Sequence, residues 1–336
     1  MKQFKIKYLT TDSELIRKVD NFISDWFDPA LWIETNTSGS TGAPKTILLE
    51  KAKMRVSATM TGKYFDFAPG QRIMLCLSPD SIGGKMLITR AILHDMELIV
   101  APLQRNPLEG TDSMIDFAAM VPMQVQAVLD TDPSKLELIR NLLIGGATVT
   151  PALREALSGL KVNCYESFGM TETMSHIAIR KLDKQPTPFE GLDGVHFSLK
   201  DEKLVIHAPK LGLPVLETND IVELIDEKRF SWKGRADFAI NSGGLKFHPE
   251  LIEQKLSGAF SNRFFITSAK DVTLGEKIIL VLEASPDEFS EEKISKIFSA
   301  RLTGYEIPKK TYFVPEFCET ISGKVNRTET KKRLPL

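Results

Sequence analysis

Short apolar runs alternate with amphipathic stretches along most of this chain, and this alternation constrains its fold more than any other feature. Runs of strand length at residues 73–77, 98–101 and 142–144 are each followed by turn residues and then by a stretch with helical spacing. Strands that alternate with helices in this way form a largely parallel sheet covered by helices. The pattern therefore predicts a layered α/β N-terminal domain.

Helical spacing is clearest over residues 12–27, where apolar residues recur at intervals of three or four. Further helices are predicted over residues 84–94 and 111–118. Pro151 begins another helix, because proline is accepted in the first helical turn.

The pattern changes at about Gly191, after which short strands joined by tight turns follow one another. These strands are predicted over residues 195–199, 204–207, 221–225 and 229–233. They indicate a small, barrel-like β subdomain.

The rest of the chain has the size of a small α+β domain. Its predicted helices and strands are at residues 249–256, 278–283, 290–302 and 311–314. We therefore predict an N-terminal domain of residues 1–234 and a C-terminal domain of residues 235–336.

Charge and cysteine content disfavour several classes of protein. Lys and Arg number 43 against 44 Asp and Glu, so the chain has no basic field for a nucleic-acid backbone. Its three cysteines show no CxxC spacing, which disfavours a disulfide framework and a zinc site. The apolar runs fall well short of the ~20 residues that span a bilayer, and the N-terminus lacks a signal-peptide core. We expect a soluble, cytoplasmic protein with no nucleic-acid partner and no membrane insertion.

The most informative motif is the loop TSGSTGAPK at residues 37–45. Its glycines let backbone N–H groups turn toward a ligand, its hydroxyls add donors and its lysine adds positive charge, so it favours phosphate oxygens. A polar surface turn is the alternative. A P-loop is excluded because Pro44 stands where that pattern needs glycine, and because residues 46–49 form a strand pattern where a P-loop begins a helix.

Three further motifs follow this loop. The sequence YESFGMTE at residues 165–172 ends in a hydroxyl and a carboxylate, which suit a nucleotide with Mg²⁺, although such a pair also caps helices. The second motif is divided between TND at residues 218–220, GRAD at 234–237 and NSGGLK at 241–246. The third is TISGKVNR at residues 320–327.

In this order the motifs resemble those of the adenylate-forming superfamily, which comprises acyl-CoA synthetases, luciferases and the adenylation domains of peptide synthetases. The resemblance spans residues 37–327, nearly the whole chain. It implies ATP and Mg²⁺ as cofactors, CoA as co-substrate and a mobile C-terminal domain. The implied reaction has two steps: a carboxylate attacks the α-phosphate of ATP to give an acyl-adenylate and pyrophosphate, and a thiol then displaces AMP.

The resemblance also assigns roles to individual residues. The catalytic residues would be Lys45, Thr171, Glu172 and Lys324, with Glu172 also holding the metal ion. Asp237 would be the hinge about which the C-terminal domain turns. The residues that would bind the nucleotide are Thr37, Ser38, Gly39, Ser40, Thr41, Gly42, Gly145, Gly146, Ala147, Phe168, Asp220 and Arg235.

The chemistry of the nucleoside-binding residues agrees with these roles. A carboxylate accepts hydrogen bonds from two vicinal hydroxyls, so Asp220 suits a ribose, with Arg235 beside it. Phe168 is expected to pack on the adenine, and the small residues 145–147 are expected to let the base lie against the backbone.

Within the superfamily the chain most resembles the o-succinylbenzoate–CoA ligases of menaquinone biosynthesis, through residues 38–40, 81–90 and 121–124. Their substrate carries two carboxylates, one activated and one only recognised. Lys85 and Arg90 are candidates for the second carboxylate, since arginine offers a bidentate fork; a solvated helix face is the alternative for both.

The stretch before the phosphate loop is shorter than is usual in the superfamily, with 36 residues. Part of one subdomain is therefore expected to be trimmed. A homodimer is one way to replace the missing walls.

Two other functions remain open. One is a stand-alone adenylation enzyme that loads a carrier protein, and the other is a non-catalytic homologue that binds nucleotide. Retention of Lys45, Glu172, Asp220, Arg235 and Lys324 disfavours the second.

Overall fold

The chain folds into a large α/β part followed by a small one, as seen in a computed structural model that describes residues 4–36, 46–319 and 325–336. The helices of these ranges are α1 (Ser13–Phe27), α2 (Lys51–Phe65), α3 (Ile82–Leu93), α4 (Pro122–Thr131), α5 (Pro151–Leu157), α6 (Pro249–Leu256), α7 (Glu291–Arg301) and α8 (Arg327–Lys332). The strands are β1 (Ile6–Tyr8), β2 (Trp32–Asn36), β3 (Thr46–Glu50), β4 (Arg72–Leu75), β5 (Glu97–Val100), β6 (Ile115–Met120), β7 (Ile139–Ile144), β8 (Asn163–Met170), β9 (Ser175–Lys181), β10 (Phe189–Gly191), β11 (His196–Lys200), β12 (Lys203–Ala208), β13 (Leu213–Leu224), β14 (Arg229–Arg235), β15 (Ile240–Ser242), β16 (Leu245–Phe247), β17 (Phe264–Asp271), β18 (Gly275–Glu283) and β19 (Lys310–Val314).

The large part is built on one twelve-stranded sheet with the order β1-β5-β4-β6-β7-β8-β9-β10-β14-β13-β12-β11. From β1 to β8 neighbouring strands are parallel, whereas from β8 to β11 they are antiparallel. The predicted α/β class with a largely parallel core is confirmed. The short strands predicted after residue 191 are present and extend this sheet at its antiparallel end.

The small part has its own sheet, in which β17, β18 and β19 are flanked by the short strands β15 and β16. Helices α6 and α7 cover it, and Ile252 and Phe298 of these helices share an apolar core with Leu280 of β18. The helices and strands predicted for this region are therefore confirmed, including the bounds of α6.

Helix α1 shows why the sequence-based helix predictions succeed. The Asp12 side chain accepts hydrogen bonds from the backbone N–H groups of Glu14 and Leu15, which satisfies free donors at the helix start. Its apolar positions recur on one face, and that face is buried in an apolar core shared with α2 and α3.

The helix predicted over residues 111–118 is wrong, because strand β6 occupies the second half of that range and no helix covers the first half. Its residues are favourable in helices as well as in a buried strand, so local sequence did not distinguish the two. Burial decides the outcome: Phe117 and Ala118 are both inaccessible to solvent, on opposite faces of a strand paired with β4 and β7.

Strands β2 and β3 form a separate antiparallel ribbon, with Asn36 opposite Thr46. The chain that joins them is the loop 37–45, which lies outside the described residues. The strand predicted after this loop is confirmed, so the helix that a P-loop requires at this point is absent from the described part of the chain. None of the helices in the described ranges is long and apolar enough to span a bilayer.

The contact of α3 with the turn before it gives a test of the packing. A Cβ added at Gly84 would lie 2.1 Å from the Ser78 carbonyl oxygen, whereas at Gly83 it would meet only the flexible end of Leu77, at 3.0 Å. We expect Gly84→Ala to lower the free energy of unfolding by about 1–3 kcal/mol through overpacking against backbone. Gly83→Ala, one residue away in the same helix, is the control and is expected to change the free energy by less than about 1 kcal/mol. Urea unfolding of the two variants measures the difference, and equal midpoints would contradict the described packing.

Candidate active site

A cavity of about 480 Å³ lies beside the carboxyl ends of β7 and β8. Loops leave a parallel sheet at this edge, and α/β proteins bind their ligands there. Four residues predicted to bind the nucleotide line the cavity: Gly146, Ala147, Phe168 and Asp220. The structure thus gathers residues from three separate motifs around one space.

The glycines after β7 bring backbone close to this cavity. A Cβ at Gly145 would lie 2.4 Å from the Ser167 hydroxyl oxygen, and Gly146 has a φ of 82°. Both positions therefore favour glycine, the first because of close approach and the second because of its left-handed backbone. The loop can present its peptide groups to a flat ligand without an intervening side chain.

Phe168 is held by an aromatic cluster. Its ring centroid lies 5.0 Å from that of Phe230 and 5.8 Å from that of Phe189. Such tilted and edge-to-face contacts fix the orientation of a ring. Phe168 is thus a rigid apolar wall of the cavity, as packing on a base requires.

Asp220 of β13 is buried beside this wall. Its Oδ1 atom accepts a hydrogen bond of 2.9 Å from the Trp232 indole N–H, and its Oδ2 atom lies 3.9 Å from Nη1 of Arg235. Burial raises the pKa of Asp220, and the Trp232 hydrogen bond and the Arg235 charge oppose this effect. Asp220 lines the cavity, and a carboxylate can accept more hydrogen bonds than the one that Trp232 donates, which suits a pair of hydroxyls.

Arg235 connects Asp220 to the predicted hinge. Its Nη2 atom lies 2.7 Å from Oδ2 of Asp237, and Oδ1 of Asp237 accepts a hydrogen bond of 3.1 Å from Asn219. Helix α6, which follows this segment, contributes Leu251 to the cavity lining. The segment between the two sheets is therefore linked to Asp220 through Arg235, and the helix that follows it lines the cavity.

The turn that joins β8 to β9 contains Thr171 and Glu172. Thr173 closes it, accepting from the N–H of Met170 and donating to the Ser175 carbonyl oxygen at 2.6 Å. At its start a Cβ on Gly169 would lie 2.2 Å from the Ser175 carbonyl oxygen, so this motif glycine is required by close approach.

The backbone is strained directly after Thr171 and Glu172, at the end of the same turn. Met174 and Ser175 have positive φ values of 55° and 98°. Positive φ in residues other than glycine is unfavourable and is often found at functional sites.

The Glu172 carboxylate is exposed and forms no hydrogen bond or ion pair with any other described residue, so it is available to a cation. Within the described ranges no group of three or more His, Cys, Asp or Glu side chains is arranged to hold a metal ion. Mg²⁺ in nucleotide sites typically takes one or two carboxylates and completes its shell with phosphate oxygens and water. The residues present fit a magnesium ion that arrives with a nucleotide.

Several predicted site residues lie outside the described residues. They belong to the loop 37–45 and to the motif at residues 320–327. The described residues beside them are the ribbon β2–β3 on either side of the loop, and a bridge between Glu319 and Val325. The predicted residues concerned are Thr37, Ser38, Gly39, Ser40, Thr41, Gly42, Lys45 and Lys324.

Lys85 and Arg90 both lie on α3 and are buried, so the alternative of a solvated helix face is wrong. The Lys85 ammonium lies 5.5 Å from the ring centroid of Phe22. Nε and Nη2 of Arg90 are buried and have no hydrogen-bond partner among the described residues. Burial lowers the pKa of Arg90 to about 9. An unpaired buried guanidinium calls for an anion.

His176 is the titratable neighbour of Arg90. Its Nε2 atom lies 2.9 Å from the Thr61 hydroxyl, which itself donates to the Ser57 carbonyl oxygen, so Nε2 carries the proton. Burial, and next the charge of Arg90, lower the pKa of His176 well below its usual range. His176 is therefore neutral and leaves the positive charge of Arg90 uncompensated.

Sequence reasoning missed four charged residues that line the cavity: Arg154, Glu166, Arg180 and Lys233, of which Lys233 is paired with Glu223. Glu166 precedes Phe168 by two positions on β8, so the period of a strand places both on the same face. This spacing could have identified Glu166. No local signal marks the two arginines, because α5 and β9 bring them in from other parts of the chain.

Curated proteins with related sequences are 2-succinylbenzoate–CoA ligases. That of Haemophilus influenzae is 23% identical over 341 residues, covering 94% of this chain and 74% of the relative. That of Bacillus cytotoxicus is 24% identical, covering 89% of this chain and 69% of the relative.

Solved structures with the same fold include an acyl-CoA synthetase (AMP-forming)/AMP-acid ligase II-like protein from Dyadobacter fermentans. It is 35% identical with a TM-score of 0.64, and the match covers 96% of this chain and 95% of that one. The o-succinylbenzoate coenzyme A synthetase of Bacillus subtilis, in complex with ATP and magnesium ion, is 19% identical with a TM-score of 0.78, covering 89% and 69%.

A family model described as AMP-binding enzyme matches residues 23–205, more than half of the chain. The match includes the phosphate loop, the small-residue loop after β7 and the motif around Phe168. The resemblance to adenylate-forming enzymes is thereby confirmed: the chain belongs to the AMP-binding enzyme family.

Proposed function

We propose that this chain is an ATP-dependent, AMP-forming carboxylate–CoA ligase that converts o-succinylbenzoate to its CoA thioester. The observation that carries the proposal is the cavity that unites Phe168, Asp220 and the glycine loop, with the unpaired cation of Arg90 in the same large domain. Family membership and the names of the curated relatives support it.

The first task of the site is to bind a nucleoside in a fixed orientation. The rigid ring of Phe168 packs on the base, while the backbone of residues 145–147 lies along it. Asp220 accepts hydrogen bonds from the ribose hydroxyls, and Arg235 lies beside them. The N–H groups and hydroxyls of residues 37–42 bind the phosphates.

The second task is to bring an anion to a polyanion. An oxygen of the substrate carboxylate attacks the α-phosphorus, and the bond to pyrophosphate breaks. Electrostatic repulsion between the two anions is the main barrier. Lys45 and Lys324 therefore supply positive charge, and Thr171 donates a hydrogen bond to phosphate. Glu172 would hold Mg²⁺, which when bound neutralises phosphate charge. The carboxylate is already ionised at neutral pH and needs no general base.

In the second step a thiol sulfur attacks the acyl carbon, and the bond between that carbon and the AMP oxygen breaks. We propose that the C-terminal domain, residues 235–336, turns about Asp237 between the steps. The strands of the large sheet end at Arg235 and those of the small sheet begin at Ile240, which supports a hinge between them. This rotation of the C-terminal domain withdraws Lys324 and brings residues 241–246 toward the thiol.

Arg90 and Lys85 give the proposed substrate its second anchor. A substrate with a single carboxylate uses it in the reaction and has nothing left for a buried cation. A dicarboxylate neutralises the cation with its second carboxylate, which offsets part of the cost of burying both charges.

The homodimer and the cytoplasmic location expected from the sequence stay predictions; sedimentation velocity tests the first.

Pyrophosphate release across a panel of carboxylates tests the function. We expect release with o-succinylbenzoate, followed by thioester formation when CoA is added. Turnover with a carrier protein but not with CoA would favour the carrier-loading alternative. Pyrophosphate release with none of the carboxylates would favour the non-catalytic one.

Lys324→Ala separates the two half-reactions. We expect adenylate formation to fall by at least ~10²-fold, because a cation that stabilises transition-state charge is lost. Conversion of pre-made acyl-adenylate to thioester should remain. Lys332→Ala, at an exposed lysine paired with Glu329, is the control. Equal rates of adenylate formation in both variants would remove Lys324 from the mechanism.

Arg90→Met separates substrate recognition from stability. Methionine replaces an unpaired buried cation, so we expect the free energy of unfolding to stay equal or to rise. The KM for o-succinylbenzoate should rise about tenfold or more, while the KM for ATP stays unchanged. If the variant bound the dicarboxylate as well as the parent protein, Arg90 would not be its anchor.

A further inference from the structure

The nucleoside cavity contains a charged cluster beside Phe168, formed by Arg154, Glu166 and Arg180. Two positive groups face one negative group, so the cluster carries one uncompensated positive charge. The mechanism above does not use any of the three. Their hydrogen bonds indicate which of the two arginines is free.

Glu166 and Arg180 form an ion pair with two hydrogen bonds. Oε2 of Glu166 accepts from both Nε and Nη2 of Arg180, at 2.8 and 2.6 Å. Oε1 of Glu166 accepts from the N–H of Val149 at 3.1 Å, and Nη1 of Arg180 donates to the Thr187 carbonyl oxygen at 3.2 Å. The pair is therefore fixed in position and electrically balanced.

Arg154 is the unpaired member of the cluster. It is 8% exposed, its Nε atom is buried without a partner, and its guanidinium forms no hydrogen bond or ion pair with any other described residue. Burial, and next the charge of Arg180, lower its pKa. A buried donor without an acceptor is costly, so the molecule that fills the cavity is expected to supply one.

The position of the cluster indicates which part of the nucleotide supplies this acceptor. Glu166 and Phe168 lie on one face of β8 about 6–7 Å apart, so a base that packs on Phe168 reaches the cluster with its edge. The ribose is expected at Asp220 and the phosphates at residues 37–45. What remains for Arg154 is a ring nitrogen of the base.

We propose that Arg154 is a specificity-determining residue that donates a hydrogen bond to N1 of adenine, which is an acceptor in adenine but carries a proton in guanine and hypoxanthine. The fixed carboxylate of Glu166 beside it disfavours a base with a carbonyl oxygen at C6, because two acceptors would then face each other. The site thus selects ATP over GTP and ITP. This proposal rests on the proposed function in that both place a nucleoside in the cavity.

The test is equilibrium binding by calorimetry to the full chain, with ATP, ITP, 1-deaza-ATP and 7-deaza-ATP as probes. Two variants are compared with the parent protein, Arg154→Met and Arg154→Lys. Arg140→Met is the control, at an exposed arginine of β7 outside the cavity lining. Thermal unfolding of each variant confirms that it is folded.

We expect Arg154→Met to weaken ATP binding about tenfold or more, with partial rescue in Arg154→Lys and no change in Arg140→Met. The parent protein should bind 1-deaza-ATP and ITP as weakly as the Met variant binds ATP, and 7-deaza-ATP as tightly as ATP. For 1-deaza-ATP the Met substitution should cost nothing further, because the acceptor is already missing.

Two results would overturn the proposal. One is an equal loss for ATP and for both deaza analogues in Arg154→Met, which would mean a purely structural role. The other is unchanged ATP affinity in that variant. Binding needs no turnover, so these results are independent of the carboxylate panel: a protein that binds ATP through Arg154 but releases no pyrophosphate contradicts only the proposed function.

Discussion

The pairing of β8 with β9 holds the site together. β8 is the last parallel strand of the large sheet, and β9 begins its antiparallel part. This one ladder places Glu166 opposite Arg180, and its register shift after Phe168 leads into the turn with Thr171 and Glu172. A change of register by one residue would move Phe168 and Glu166 to the other face and remove both from the cavity.

Unpaired buried cations are the second theme of the structure. Arg180 has a carboxylate partner, whereas Arg90 and Arg154 have none among the described residues. Desolvation of these two guanidinium groups lowers the free energy of unfolding, and only a bound ligand offsets this loss. The protein thereby exchanges stability for selectivity at two separate points, one proposed for the acid and one for the base of the nucleotide.

Much of this architecture was accessible from sequence, for physical reasons. The α/β alternation and α6 follow local patterns, and the motifs around Phe168 and Asp220 are informative through their order along the chain, although each of them alone allows another interpretation. Strand β6 was missed because its burial depends on neighbours distant in the chain. The pairing state of Arg90 and Arg154 was equally inaccessible, since it depends on which side chains three-dimensional packing brings near them.

The division between the two sheets has a consequence for how such chains diversify. Among the described residues, every strand of the large sheet precedes residue 236 and every strand of the small sheet follows residue 239. A genetic crossover in this short link would leave both hydrogen-bond ladders whole. Recombination at this link can therefore exchange the small part between homologues without breaking a strand pairing of the large one.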